Sequence, residues 1–360
     1  MDVGALSKKV LDGNRISYEE CVFLHDNATL DSLAYLADEI RQKKHPENIV
    51  TYIIDRNLNP TNVCVTDCKF CSFYAKPKDK EKGYILDRED IYNRIQETVD
   101  AGGIQILMQS GHHPKLGCEW FEELFRDIMN KWPELHLHAM APSEIEHLSR
   151  VSKISTLDVL KRLQASGMKS MPGGGAEVLT ERVRALIAPR KTSSDDWIRI
   201  MEEAHSIGMR TTATMMFGHV ETTNDRIEHL QRIRDLQDST NGFTAFIGWT
   251  FQPGDNPLGE ELKSKGWTKA THAEYFRMTC IARIFLDNFD NIQASFVTQG
   301  ADAAQIALKM GCNDFGSVML EENVVSAAGC SELIDVTEIE EHINKAGFIP
   351  RQRNQEYSLL

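Results

Sequence analysis

Long hydrophobic runs are missing from this 360-residue chain. The longest stretch without a charged residue, 239–254, is interrupted by Asn, Gly, Gln and Pro. It is shorter than the ~18 apolar residues that indicate a membrane-spanning helix. The opening residues MDVGALSKKVLDGN lack the apolar segment of a secretory signal. The sequence therefore predicts a cytoplasmic protein with no membrane partner.

An excess of positive charge is also missing. The chain has 40 Lys and Arg against 53 Asp and Glu, which gives a formal net charge of -13. Because a chain this acidic is a poor electrostatic match for a phosphate backbone, we expect no nucleic acid among its partners. The 41% of hydrophobic and 26% of charged residues are ordinary globular values, which excludes a disordered or disulfide-scaffold class.

Cysteine is sparse, with eight in the chain, but three of them are crowded into one short segment as Cys64, Cys68 and Cys71. In a protein without an export signal, such crowding indicates metal or redox chemistry rather than structural disulfides. The other five lack ligand spacing, and we predict that they are small buried hydrophobic residues. They are Cys21, Cys118, Cys280, Cys312 and Cys330.

Short β-rich segments alternate with amphipathic helical segments after residue 48, which predicts parallel β/α units. A doubly wound sheet is the alternative, but its G-x-G-x-x-G fingerprint follows none of the predicted strands. We therefore predict an α/β fold with a (β/α)8 TIM-type barrel at 49–320, a helical N-terminal extension at 1–48 and a C-terminal segment packing on the barrel at 321–360. The predicted strands are 49–55, 104–109, 135–139, 168–171, 210–216, 242–249, 291–296 and 314–318.

The cysteines form the pattern C-x3-C-x2-C directly after the first predicted strand. Three thiolates on one loop can hold three irons of a four-iron four-sulfur cluster, whereas a fully ligated cluster takes four cysteines. The open iron could then chelate S-adenosylmethionine through its amino and carboxylate groups. One alternative is a structural zinc site completed by Cys118, His112 or His113. Another is a non-catalytic iron-sulfur module.

C-x3-C-x-F-C after the first strand resembles the radical S-adenosylmethionine superfamily. The segments 105–114, 136–144, 172–177, 211–222 and 243–253 resemble its branch of menaquinone futalosine-pathway enzymes and deazaflavin synthases. This resemblance implies a 4Fe-4S cluster held by Cys64, Cys68 and Cys71. The segment from Pro172 to Gly175 is predicted to open a helix whose first turn carries Glu177. This residue either complements the helix dipole or, as the resemblance implies, holds the ribose of S-adenosylmethionine. Ser110 departs from the usual Gly-Gly pair. The cofactor-binding residues that we infer are Phe70, Tyr74, Ser110, Gly111 and Glu177.

The resemblance further implies a ring closure within the small molecule dehypoxanthine futalosine. A 5′-deoxyadenosyl radical would take hydrogen from the 4′ carbon of the ribose. The new carbon radical would add to a benzoate-type ring, which then loses an electron and a proton. Aminofutalosine synthesis is the alternative activity within the branch, and either activity requires a reducing electron donor such as flavodoxin or ferredoxin.

Loss of the proton requires a base within hydrogen-bond reach. The candidates at the ends of predicted strands are Asp55, His138, His219 and Glu221, which the sequence does not rank. Arg56 and Arg190 are either ligands of a substrate carboxylate or ordinary ion-pair residues.

Overall fold

Ten parallel strands form one sheet in the computed structural model, which describes residues 1–330 and 332–360. The strands are β1 Ile49–Ile53, β2 Asp55–Leu58, β3 Gln105–Met108, β4 His136–Ala139, β5 Met168–Met171, β6 Arg210–Phe217, β7 Phe243–Thr250, β8 Asn291–Gln293, β9 Asp314–Ser317 and β10 Ile349–Gln352. Their order in the sheet is β10-β1-β9-β8-β7-β6-β5-β4-β3-β2.

The sheet curls round on itself because β1 and β2 are two halves of one extended segment, separated only by Ile54. The first half pairs with β9 and the second half pairs with β3, in parallel register Asp55↔Gln105 to Leu58↔Met108. The predicted α/β barrel is therefore confirmed. Seven of the eight predicted strands end within two residues of the observed ends; the prediction 291–296 is too long because Phe296 begins a helix.

Helices connect successive strands of the barrel and cover its outer surface. Three helices precede β1: α1 Val3–Leu11, α2 Tyr18–Asn27 and α3 Leu30–Lys44. The later ones are α4 Arg88–Asp100, α5 Cys118–Lys131, α6 Pro142–Ser152, α7 Thr156–Ala165, α8 Glu181–Ile187, α9 Ser194–Ser206, α10 Thr223–Thr240, α11 Pro257–Ser264, α12 His272–Phe285, α13 Phe296–Gln299, α14 Ala301–Ala307 and α15 Val336–Lys345. No helix in the described parts of the chain combines the length and the apolar character that crossing a bilayer requires.

Side-chain caps explain where several helices begin. The hydroxyls of Ser155 and Ser193 accept the backbone N–H groups of Asp158 and Asp196, each at 3.1 Å, at the starts of α7 and α9. Each cap satisfies one of the backbone donors left free in the first turn. The caps therefore mark where the short connections from α6 to α7 and from α8 to α9 end.

The C-terminal segment contributes a strand that the sequence did not predict. β10 pairs with β1 in the register Ile49↔Ile349, and its side chains are exposed or half-buried. The I-P-R-Q sequence has no alternation of apolar and polar residues, which is the signal by which a strand is predicted. Just beyond it the buried Arg353 pairs with Asp314 of β9 (Nη2–Oδ1 2.9 Å). The segment therefore closes the amino-terminal end of the barrel. The predicted limits 1–48, 49–320 and 321–360 remain a proposal for the domain organisation.

Candidate active site

Two adjoining cavities lie at the carboxyl ends of the strands. The cysteine cavity, as we call it, has a volume of about 260 Å³ and contains the loop that follows β2. The barrel cavity, about 250 Å³, is enclosed by side chains of β1 to β4 and β6 to β9. The residues that line both are Gln109, Gly174, Trp249, Val324 and Val325. A ligand in one cavity can therefore be brought close to a ligand in the other.

All three predicted metal ligands, Cys64, Cys68 and Cys71, line the cysteine cavity. Burial raises the pKa of the Cys68 thiol to about 12, and burial also raises the pKa of Cys71 against hydrogen bonds from two backbone N–H groups. Thiolates are the ligands of iron, so these buried thiols need a cationic partner to lose their protons. The donor set fits the predicted cluster.

The zinc alternative has no assembled site. In residues 1–330 and 332–360, no three His, Cys, Asp or Glu side chains converge as ligands of one metal ion. Cys118 is buried at the start of α5, where its backbone N–H donates to the Ser152 hydroxyl (2.8 Å). An iron-sulfur cluster spreads its ligands over several metal atoms, so the cysteine loop can serve it without such convergence.

The loop after β3 presents Ser110 and Gly111 to the cysteine cavity. The buried Ser110 Oγ has no hydrogen-bond partner among the residues that the structure describes. A Cβ at Gly111 would lie 2.4 Å from the carbonyl oxygen of Val63, so only glycine fits there. A free hydroxyl beside closely packed backbone fits a polar ligand such as the methionine part of S-adenosylmethionine.

Glu144 is a buried group of this cavity that the sequence reasoning missed. Its two carboxylate oxygens accept the N–H groups of Ser110 and Ala141, each at 2.8 Å. Burial raises the pKa of Glu144 to about 7 against these hydrogen bonds. The signal that could have identified it is its position three residues after Ala141, at the start of α6, where Pro142 is the first residue.

Glu177 lies in the cysteine cavity, but its predicted helical position is wrong. The helix α8 begins only at Glu181, and Glu177 adopts a left-handed backbone (φ 45°) in the loop after β5. This conformation turns its side chain toward Lys191, whose Nζ lies 2.7 Å from Oε1. Burial alone would lower the pKa of Lys191, but Glu177 and Cys68 together raise this pKa above its ordinary value.

Phe70 and Tyr74 also line the cysteine cavity. Lys191 Nζ lies 5.4 Å from the centre of the Phe70 ring, so this lysine contacts two of the predicted cofactor-binding residues. No motif marks Lys191 in the sequence. The Tyr74 hydroxyl donates to Asp67, and burial, with this contact, raises the Tyr74 pKa.

Two of the four candidate bases, Asp55 and His138, share the barrel cavity. Asp55 accepts hydrogen bonds from Gln105 Nε2 (2.8 Å) and from the Ser317 hydroxyl, and burial raises its pKa. His138 Nδ1 lies 2.7 Å from the Ser170 hydroxyl, and burial lowers the pKa of its imidazole well below the usual value. A buried neutral imidazole can accept a proton.

The structure does not bring His219 and Glu221 into this group, because neither lines the cysteine or barrel cavity in the described chain. His219 Nε2 contacts the carbonyl oxygen of Met216 (3.0 Å). Glu221 accepts the N–H of His219 (2.8 Å) and pairs with Arg226 (2.7 Å). The two side chains hold the loop after β6 in place.

The two candidate arginines are also engaged elsewhere. Arg56 pairs with Glu97 (2.9 Å) and Glu321 (2.7 Å), and Arg190 pairs with Asp67 (2.7 Å). Of the other cysteines, Cys21, Cys118, Cys280 and Cys312 are buried as predicted, whereas Cys330 is only half-buried.

Comparison with known proteins decides the family. Residues 58–233 match the radical SAM superfamily, and residues 240–360 match the CofH/MqnC C-terminal region. Cyclic dehypoxanthine futalosine synthase of Streptomyces coelicolor is 48% identical over 100% of this chain and 89% of its own length. The chain belongs to the radical S-adenosylmethionine superfamily. Members of this superfamily use a 4Fe-4S cluster and S-adenosylmethionine, which confirms the predicted cofactors and makes the chain an enzyme.

Other relatives of this radical S-adenosylmethionine enzyme lie in the same branch. Cyclic dehypoxanthine futalosine synthase of Halalkalibacterium halodurans is 42% identical over 100% of this chain and 95% of its own length. Aminodeoxyfutalosine synthase of Thermus thermophilus is 35% identical over 98% of this chain and 94% of its own. The solved structure of methylornithine synthase superimposes with a TM-score of 0.74 at 18% identity, covering 96% of this chain and 97% of that one. The last comparison supports the fold alone.

Proposed function

We propose that this enzyme cyclises dehypoxanthine futalosine to cyclic dehypoxanthinyl futalosine in menaquinone biosynthesis. The 48% and 42% identity to cyclic dehypoxanthine futalosine synthases over the whole chain supports this activity over that of aminodeoxyfutalosine synthase, at 35%. The observation that carries the proposal is the pair of adjoining cavities, one with three cysteine thiols and one with two buried candidate bases. This arrangement suits a reaction between two bound small molecules.

The cysteine cavity is the proposed site of the cofactors. Cys64, Cys68 and Cys71 would hold the cluster, while Ser110 and Glu177 would bind S-adenosylmethionine through hydrogen bonds. Once bound, these groups supply the 5′-deoxyadenosyl radical and an acceptor for the electron that ring closure releases. The protein's own task is to orient the substrate and to keep water away from the reacting atoms.

The barrel cavity is the proposed site of the nucleoside. Its polar side chains include Asn57, Gln105 and Gln109, which can bind ribose hydroxyls. Gln105 Oε1 is buried without a hydrogen-bond partner in the described chain, so it is free to accept one from the substrate. Asp55 or His138 is the proposed acceptor of the proton.

The electron donor is proposed to be a flavodoxin or a ferredoxin. We also propose that the reaction takes place in the cytoplasm, where the reducing environment keeps cysteine ligands from forming disulfides.

Anaerobic reconstitution with iron and sulfide, followed by reduction with S-adenosylmethionine and dehypoxanthine futalosine, tests this function. We expect 5′-deoxyadenosine and a product that has lost two hydrogen atoms, resolved by mass spectrometry. Cys68→Ala should form neither, whereas Cys280→Ala, a buried cysteine outside both cavities, should form both. If the enzyme converts the substrate of aminodeoxyfutalosine synthase but not dehypoxanthine futalosine, the proposal is refuted in favour of that activity.

A further inference from the structure

One serine hydroxyl joins two histidines inside the barrel. Ser170 Oγ lies 2.7 Å from His138 Nδ1 and 2.7 Å from His136 Nε2. The histidines are two residues apart on β4, so both face the same side of the strand, and Ser170 is the β5 partner of His138. His138 is buried and lines the barrel cavity, whereas His136 is half-buried at the amino-terminal end of β4. The three side chains connect the cavity with the opposite end of the barrel.

A proton relay requires the hydrogen bonds of this row to run in one direction. Burial lowers the pKa of His136 to about 4 and lowers that of His138 well below its usual value, so both imidazoles are neutral near pH 7. A neutral imidazole has one N–H and one acceptor nitrogen. In the tautomer that a relay requires, His138 Nε2 is the acceptor nitrogen, Nδ1–H donates to Ser170, and the Ser170 hydroxyl donates to His136 Nε2.

The charges around the row disfavour a stored proton. Burial is the largest cause of the lowered pKa of His138; His136 and then Arg353, which is paired with Asp314, lower it further. Burial is also the largest cause of the lowered pKa of His136, and Lys169 lowers it further. Neither imidazole therefore holds a proton at neutral pH. Asp55, the other candidate base, is engaged by Gln105 and Ser317 and has no such connection to the far end of the barrel, within the described chain.

We propose that His138, Ser170 and His136 form a relay that carries the proton released on ring closure out of the barrel cavity. This proposal rests on the proposed function. The ring C–H bond breaks, its electron pair stays in the ring, and its proton moves to His138 Nε2. In the same transfer the Nδ1 proton moves to Ser170 Oγ and the Ser170 proton moves to His136 Nε2, and His136 releases a proton to solvent. The single electron that leaves the ring would be accepted by the oxidised cluster that Cys64, Cys68 and Cys71 would hold.

Two residues of the relay can be changed without altering the cavity wall, because neither Ser170 nor His136 lines the barrel cavity. In Ser170→Ala we expect formation of 5′-deoxyadenosine within twofold of the unchanged enzyme. The cyclic product should form at least tenfold more slowly, with a larger solvent deuterium isotope effect, since a positioned base contributes about 10²–10⁴-fold. The Ser170→Ala variant should therefore form more 5′-deoxyadenosine per molecule of cyclic product than the unchanged enzyme.

His205→Gln is the matched control. His205 is another half-buried histidine between two hydroxyls, those of Thr240 and Thr211, each at 2.7 Å, and its pKa is also lowered to about 4 by burial. It lines neither cavity in the described chain, so the ratio of 5′-deoxyadenosine to product should not change. In His136→Ala, imidazole added to the medium should restore the rate of product formation at the half-exposed end of the relay.

A measurement on the cofactor-free protein is independent of turnover. The ¹⁵N shifts of His138 should show the proton on Nδ1, and Ser170→Ala should move it toward Nε2. The relay is refuted if His138 carries its proton on Nε2, or if Ser170→Ala leaves the product rate and its isotope effect unchanged. If the unchanged enzyme forms no 5′-deoxyadenosine from this substrate, the proposed function itself is refuted.

Discussion

Removal of the Lys191 charge should destabilise the protein strongly. The ammonium lies 2.7 Å from the Glu177 carboxylate, and the two side chains are 13% and 6% exposed. At this distance the attraction is about 6 kcal/mol for an effective dielectric constant of about 20. Much of it offsets the cost of burying both charges, but Lys191→Met leaves a buried carboxylate without its cation. We therefore expect a loss of about 3–5 kcal/mol in the free energy of unfolding.

Urea denaturation of the cofactor-free protein measures this loss. The double variant Lys191→Met/Glu177→Gln should recover about 2 kcal/mol or more relative to the sum of the single variants. Because the Lys191 pKa is raised, its stabilising effect is fully present below the ordinary lysine value of about 10.4 and is lost only above it. The cost of Lys191→Met should thus still be present at about pH 9.

The exposed pair Lys345 and Glu341, 3.1 Å apart on α15, provides the control. Lys345→Met should cost no more than about 0.5 kcal/mol, since water screens an exposed helical pair. A cost below about 1 kcal/mol for Lys191→Met, or a double variant whose cost equals the sum of the two single costs, would refute the proposed interaction.

Three further changes test other parts of the site. Gly111→Ala should lower the affinity for S-adenosylmethionine, measured by calorimetry, because its Cβ would approach the Val63 carbonyl to 2.4 Å and displace the loop; unchanged affinity would contradict this. Glu144 has a pKa raised by burial to about 7, so its own contribution to the free energy of unfolding falls by up to about 3 kcal/mol as the pH rises from about 4.5 to 7; the difference between the unchanged protein and Glu144→Gln in denaturation curves should fall over this range, and a constant difference would contradict this. Trp249→Ala removes a wall shared by the two cavities and should increase the 5′-deoxyadenosine formed per cyclic product; an unchanged ratio would show that Trp249 does not guide the radical.

Local patterns predicted the fold and the cysteine ligands. Period-two and period-3.6 hydrophobicity marks strands and helices, and the C-x3-C-x2-C spacing lies within one loop, so neither depends on distant contacts. Lys191 and Ser170 could not be predicted in this way. Lys191 contacts Glu177 across a separation of 14 residues that includes α8, and Ser170 joins the two histidines only through the pairing of β4 and β5.

The sequence also could not predict the direction in which the side chains of the loops point. Asp55, His138, His219 and Glu221 all follow or end predicted strands, yet only the first two line a cavity. The Glu221 carboxylate turns back to the N–H groups of its own loop, and the closely packed Arg226 neutralises it. The direction of such a side chain depends on which backbone N–H groups lack hydrogen-bond partners after folding.

The base of the barrel cavity is formed by a segment outside the eight β/α units. Arg353, Gln355 and Tyr357 line this cavity, so removal of residues 349–360 would open it to water at the amino-terminal ends of the strands, where a radical would be quenched. We expect such a truncated variant to acquire iron and consume S-adenosylmethionine without yielding product.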